Sequence, residues 1–206
     1  DVALSYATTG QQCPRFGYND IVAPGQELTL GKRIWQVHAA PGHDPHAVML
    51  FEPQDRILIS GDALWERGFG VVFPELEGEQ AFEEVRASLH VIEALQPLIV
   101  IPGHGKPFKH VTQSLNAARN RLDAFMAQPH KHALYAAKVL VKFKLLEAQA
   151  IPLVDLEAWA KATPYFSLVH GRYFAATEFS LWLHELVQDL ERSGAALRQA
   201  DTLHNA

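Results

Sequence analysis

In the first half of the chain short apolar runs alternate with turns cut by glycine and proline, whereas beyond residue 110 the apolar positions recur at helical spacing. Residues 22–30, a turn at Gly31-Lys32, and Arg33–Ala39 predict a hairpin. In its second strand Ile34, Gln36 and His38 face one way, and Trp35, Val37 and Ala39 face the other. Residues 47–52 and 56–60 predict two more strands around a turn at Pro53-Gln54-Asp55-Arg56. Residues 66–78 read as a loop that carries Phe69, Val71, Val72 and Phe73. Phe82, Val85, Leu89, Ile92 and Leu95 then predict a helix over 79–95, with Glu79, Glu83 and Glu84 at the end where the helix dipole favours them. Pro97 stops that helix, and 98–101 is a fully apolar strand. Helix followed by buried strand implies an α/β (α+β) layer arrangement, not a pure β-barrel.

In the second half Val111–Ala127, residues 132–148, Leu153–Ala162 and residues 175–192 predict helices. Residues 164–173, rich in aromatic side chains, read as a short extended excursion, and the tail after 192 as frayed. This order is the outline of a winged-helix-like module. In the irregular opening stretch Phe16 and Tyr18 are placed to pack back onto a core.

Composition sharpens this division. At 206 residues, with 48% hydrophobic and 20% charged side chains, the chain suits a soluble globular protein of one large domain or two small ones. Residues 1–109 carry 8 basic and 14 acidic groups (−6), and residues 110–206 carry 10 and 9 (+1). The break places a domain boundary near residue 110, giving domains 1–109 and 110–206. The net charge of −5 makes no global case for nucleic acid. No apolar run approaches the ~20 residues of a membrane helix, so no membrane role is expected. The single cysteine, Cys13, excludes an intrachain disulfide and points to a reducing compartment, the cytoplasm. A small buried thiol is the better reading of Cys13 than a nucleophile. The opening Asp1-Val2-Ala3-Leu4 shows no charged-then-apolar leader.

The candidate chemistry lies between residues 38 and 105. Pro41-Gly42-His43 and Pro102-Gly103-His104 each follow an apolar run, and Ile57-Leu58-Ile59-Ser60-Gly61-Asp62 is a third run ending in a carboxylate. Proline ends a strand ladder and glycine permits the turn, so each motif leaves a ligand-type side chain at the rim of a sheet. Imidazole nitrogen and carboxylate oxygen are both zinc donors. Any one of these turns taken singly is an ordinary solvated loop; three together point to one metal site. His38 reads as a strand residue and not a ligand. His46, three residues beyond His43, is either a substrate-side group or a solvated histidine, and the apolar 66–78 loop is a candidate substrate wall through Phe69 and Phe73.

These three segments, Ala40 to His46, Ser60 to Trp65 and Ile101 to Gly105, resemble the later metal motifs of the metallo-β-lactamase superfamily, in the hydrolase branch with a C-terminal winged-helix-like domain. The resemblance implies the second half of an αββα sandwich followed by a helical domain. It implies two zinc ions, with His43 on the first, His104 on the second, and Asp62 bridging both as the catalytic carboxylate. It further implies a zinc-bound hydroxide that attacks an ester, thioester, lactone or phosphodiester in a small-molecule substrate. His46, Trp65, Phe69 and Phe73 are the substrate-pocket candidates. The family's H-x-H-x-D-H signature, which supplies the larger share of the ligands, does not occur in this sequence. We therefore expect these residues to be the later part of a longer, truncated protein, and this chain alone to hold metal weakly and to be inactive.

Two further expectations follow. The sheet face bearing Trp35, Val37, Val48 and Leu50 should lie bare unless a second copy or an N-terminal segment covers it, and we favour the segment. A different class of function is nucleic-acid binding or RNA cleavage through the helical domain, where Lys131, Lys138 and Lys142 could share a helix face. Nearby Glu147, Asp155, Glu157 and Glu185 weigh against it.

Overall fold

The computed structural model describes Thr9, Gly10 and residues 17–206. Cys13 and Phe16 lie outside the described residues. By contacts the chain divides into two compact units, Tyr18–Pro129 and His130–Ala206, the second also taking in Thr9, Gly10 and Gly17.

The first unit is a five-stranded sheet in the order β1-β2-β3-β4-β5. Its strands are β1 (Glu27–Leu30), β2 (Arg33–Ala39), β3 (Val48–Glu52), β4 (Ile57–Gly61) and β5 (Ile99–Pro102). The first four form an antiparallel meander, joined at Leu30↔Arg33, Ala39↔Val48 and Glu52↔Ile57. β5 lies parallel to β4, with Leu58 opposite Val100. A parallel pair needs a long crossover. The chain supplies it as α1 (Phe73–Glu77) and α2 (Ala81–Leu95), so residues 66–78 are not wholly loop. Pro74 at the first helical turn and Gly78 at φ +100° bound α1.

The pleat sorts the two faces. Met49, Phe51, Leu58 and Val100 point to the helical side and join Phe82, Val85, Leu89 and Ile92 of α2 in one core. α3 (Val111–Ala127) adds Val111, Leu115, Ala118 and Leu122 to the same core. α3 therefore belongs with the sheet, and the contact boundary falls at Pro129, beyond the charge break at 110. On the opposite face Trp35 and Val37 are buried, at 8% and 1% exposure, while Val48, Leu50, Ile57, Ile59 and Ile99 are half-buried. That face is not bare at β2, contrary to the expectation from alternation; it opens toward β5, where Ile101 is 37% exposed. Tyr18 is exposed and does not pack back. At the β3–β4 turn the buried Glu52 carboxylate accepts from Arg33 and from the backbone N–H groups of Gln54 and Asp55.

The second unit begins with α4 (Pro129–Ala148), then β6 (Ala150–Pro152), α5 (Leu153–Ala162) and α6 (Pro164–Val169). A π-helical turn at His170–Phe174 leads to α7 (Phe179–Arg192) and to the strands β7 (Ala196–Gln199) and β8 (Thr202–Asn205). The strands pair antiparallel in the order β6-β8-β7. Two expectations are corrected here. Residues 164–173 are helical, because Pro164 fits a first helical turn and Tyr165, Phe166 and Val169 bury one stripe. The tail is not frayed: it closes a hairpin, and Leu203 is fully buried. Among the described residues no helix is long and apolar enough to cross a membrane.

Leu89 is 1% exposed at the centre of the α2–sheet contact. Leu89→Ala should destabilise the first unit by roughly 2–5 kcal/mol, read from urea unfolding; a loss below ~1 kcal/mol would mean that this core is not closely packed.

Candidate metal centre

β4 and β5 run side by side and end at the same rim, which is why Asp62 and His104 come together. Gly61 ends β4 at φ +52°, beside a register irregularity between Ile59 and Gly61. The backbone N–H of Gly103 donates to Gly61 O at 2.8 Å and ties the two strand ends. The third residue arrives from the end of β2. Gly42, at φ +132°, packs directly on Val85, where a Cβ has no room. Ser88 Oγ of α2 donates to Pro41 O at 2.9 Å and fixes the same turn.

The three side chains meet at one carboxylate. His43 Nε2 lies 3.4 Å from Asp62 Oδ2, and His104 Nε2 lies 3.9 Å from Asp62 Oδ1. Each oxygen faces a different imidazole, so no single point is surrounded by three donors. Correspondingly, no cluster of three or more His, Cys, Asp or Glu able to enclose an ion exists among the described residues. The side chains of His43 and Asp62 are 31% and 25% exposed, whereas that of His104 is 60% exposed. The site opens at β5.

The loop after β4 builds the other wall. Gly70 N–H donates to Asp62 O at 2.8 Å and brings the loop back across the site. A Cβ at Gly70 would stand 2.9 Å from both Asp62 Cβ and His43 Nδ1, and one at Gly103 would stand 2.6 Å from Asp62 Oδ1. Both glycines thus make room for the carboxylate. His43 Nδ1 contacts the carbonyl oxygen of Val71. A carbonyl only accepts, so Nδ1 carries the proton and Nε2 is the ring atom turned toward Asp62.

The pocket candidates divide. Trp65 Nε1 donates to Asp62 Oδ1 at 2.9 Å, and its ring meets His104 edge-on at 5.2 Å. Phe69 is buried beneath the site and lines a small cavity with Pro41, His43 and Asp62. Phe73 tilts against His43 at 6.1 Å. His46 is exposed, and its backbone N–H donates to Asp44 Oδ1 at 2.7 Å. His38 lies in β2, with Nε2 buried and unpartnered among the described residues and its ring edge-on to Phe51. Sequence reasoning missed Gly70 and the Val71 carbonyl, which act only once the loop folds back.

The donor chemistry fits a metal in part. Two imidazoles that turn Nε2 toward one carboxylate, with each oxygen facing a different ring, are the right donor types. They fall short of the four-donor shell that holds an ion tightly.

Residues 11–104 match the sequence pattern of the "Metallo-beta-lactamase superfamily". The probable metallo-hydrolase YflN of Bacillus subtilis (strain 168) is 31% identical over 103 residues, covering 44% of this chain and 39% of that protein. A β-lactamase domain protein from Burkholderia ambifaria is similar over 94% of this chain and 53% of its own, at 23% identity and a TM-score of 0.47. A metallo-β-lactamase family protein from Thermus thermophilus gives 90% and 54%, at 19% identity and a TM-score of 0.42. The chain spans about two-fifths of the curated relative and about half of these two solved proteins.

Two outcomes test this geometry. Gly103→Ala should push the Asp62 carboxylate from its place and cost roughly 1–3 kcal/mol; unchanged stability would show that the two strand ends are not in contact. Burial holds the His38 imidazole below its ordinary value of 6.5. The unfolded chain then binds the proton first, so stability falls as pH drops below about 6.5. In His38→Leu the loss of urea stability between pH 7 and pH 5 should shrink; an unchanged slope would place His38 in solvent.

Proposed function

We propose that this chain, whose residues 11–104 match the metallo-β-lactamase superfamily, serves a metal-dependent hydrolase in which His43, Asp62 and His104 at the sheet rim would supply metal donors. One observation carries the reading: a single carboxylate presents one oxygen to each of two histidines. A carboxylate so placed suits a bridge between two ions, and zinc is the metal we assign. When bound, the metal supplies Lewis-acid polarisation and lowers the pKa of a water, so that hydrolysis runs near neutral pH.

The chain's own residues have separate tasks. Asp62 supplies negative charge that offsets the cation. The Val71 carbonyl keeps the His43 proton on Nδ1. Phe69 and Phe73 exclude water on the His43 side, while the exposed His104 side admits substrate. We assign a small ester, thioester, lactone or phosphodiester as that substrate. With only these three donors, the 206 residues alone should bind metal weakly and turn over slowly.

The order α4, β6, α5, α6, α7 and the β7–β8 hairpin supports reading the second unit as winged-helix-like. Nucleic-acid binding draws less support. Lys142 Nζ is bonded to Ala195 O, Asn205 Oδ1 and Ala206 O, and Lys138 Nζ lies 3.4 Å from Asp189. The half-buried face around Leu50 and Ile59 would take an N-terminal segment or a second copy. The single cysteine fits a cytoplasmic setting.

The test is a Co²⁺ titration followed by visible absorption, with a panel of the four substrate classes assayed alongside. Asp62→Asn should abolish the bound-cobalt spectrum and reduce any metal-stimulated hydrolysis by about 100-fold or more, equivalent to the several kcal/mol a Lewis acid supplies. Binding that ignores Asp62→Asn, or hydrolysis that survives chelation, would refute the reading.

A further inference from the structure

The carboxylate of Asp62 follows Gly61 at the end of a strand and is three-quarters buried, and something must choose its rotation. Among the described residues one side chain hydrogen-bonds to it: Trp65, whose indole N–H reaches Oδ1 at 2.9 Å. The same ring meets His104 edge-on at 5.2 Å. Trp65 therefore touches both the shared carboxylate and the more exposed of the two histidines.

The donor is held in advance by its loop. Trp65 N–H donates to Gly68 O at 2.7 Å and closes a tight turn over Glu66 and Arg67. Gly68 sits at φ +140°, a backbone that only glycine adopts readily, and the Arg121 side chain of α3 fills the space beside it. Two residues on, Gly70 N–H returns to Asp62 O at 2.8 Å. The chain thus leaves Asp62, turns at Trp65–Gly68 and comes back to Asp62, with the indole N–H inside the loop. Ser60 Oγ donates to Leu64 O at 2.7 Å and anchors the base of the excursion.

We propose that Trp65 is a positioning residue: its indole N–H fixes the Asp62 carboxylate so that Oδ2 faces His43 while Oδ1 faces His104. The bond engages one lone pair of Oδ1 and leaves the other toward His104. The two ends of the carboxylate then become unequal. Oδ2, which accepts no hydrogen bond among the described residues, is the stronger donor, and the His43 side fills first. The proposal rests on the metal-centre reading above and deepens it. Without the indole N–H, the carboxylate is free to rotate about its Cβ–Cγ bond and the two histidines lose their common partner.

The experiment pairs two readouts on the 206-residue chain. The first is Co²⁺ affinity by absorption titration for wild type, Trp65→Phe and Asp62→Ala. Phenylalanine keeps an aromatic ring at this position and removes the N–H together with the second ring of the indole; Trp65 is only partly buried, so the melting curve should stay close to wild type. Removing an outer hydrogen-bond partner weakens metal binding by about 10–100-fold, and that is the loss expected for Trp65→Phe. Equal affinity in Trp65→Phe and wild type would overturn the proposal. The second readout needs no metal: the indole N–H resonances of the four tryptophans, with Trp65 identified by its disappearance in Trp65→Phe. Asp62→Ala should move the Trp65 resonance and leave that of Trp182 in place. If Trp65→Phe fails to fold, four indole N–H resonances all unmoved by Asp62→Ala would still overturn the proposal. Should wild type and Asp62→Ala bind Co²⁺ alike, the metal-centre reading itself fails, and the positioning role toward a metal falls with it.

Discussion

The parallel pairing of β4 with β5 is the constraint on which the rest depends. Antiparallel neighbours joined by a short turn send their ends to opposite rims, whereas a parallel pair brings two strand ends to one rim. Here that rim receives Asp62 and His104. The pairing exists only because α2 spans the return path, and α2 stays there only because its apolar stripe is buried on Met49, Leu58 and Val100. The same helix supplies Val85 and Ser88 to the turn that carries His43. The core that stabilises the first unit is thus also the scaffold that gathers the three donors.

Local backbone chemistry refines what topology brings together. Glycines at 42, 70 and 103 lie where a Cβ would strike the helix or the site, so close approach is secured by the absence of side chains. Backbone groups then do the orienting: the Val71 carbonyl engages His43, and the Gly70 and Gly103 N–H groups hold the two ends of the loop and the neighbouring strand. Under the proposed reading, an imidazole of fixed tautomer and a carboxylate of fixed rotation would lose little freedom on taking up an ion, which would favour binding by few donors.

Much of this was legible in the chain. Pro-Gly-His after an apolar run announces a strand end, a turn and a rim donor from three adjacent residues, and the spacing of Phe82, Val85, Leu89 and Ile92 announces the covering helix. What escaped notice depends on distant or unusual contacts. The Val71 carbonyl lies 28 residues from His43 and carries no side-chain signal. The β7–β8 hairpin turns at Ala200, at φ +52°, without the glycine or asparagine that normally marks such a turn. The aromatic run at 164–173 suggested a strand, yet burying Tyr165, Phe166 and Val169 together decides for helix. Charge placed the boundary near 110, whereas the apolar stripe of α3 carries the first unit on to Pro129.

The most direct measurement of the central claim is an anomalous difference map from a crystal of this chain soaked in zinc, collected on both sides of the zinc absorption edge. The account predicts density at the rim within coordination distance of Asp62 and His43, strongest on the His43 side. Zinc bound only elsewhere, or a clean map at that rim with His43, Asp62 and His104 ordered, would contradict it.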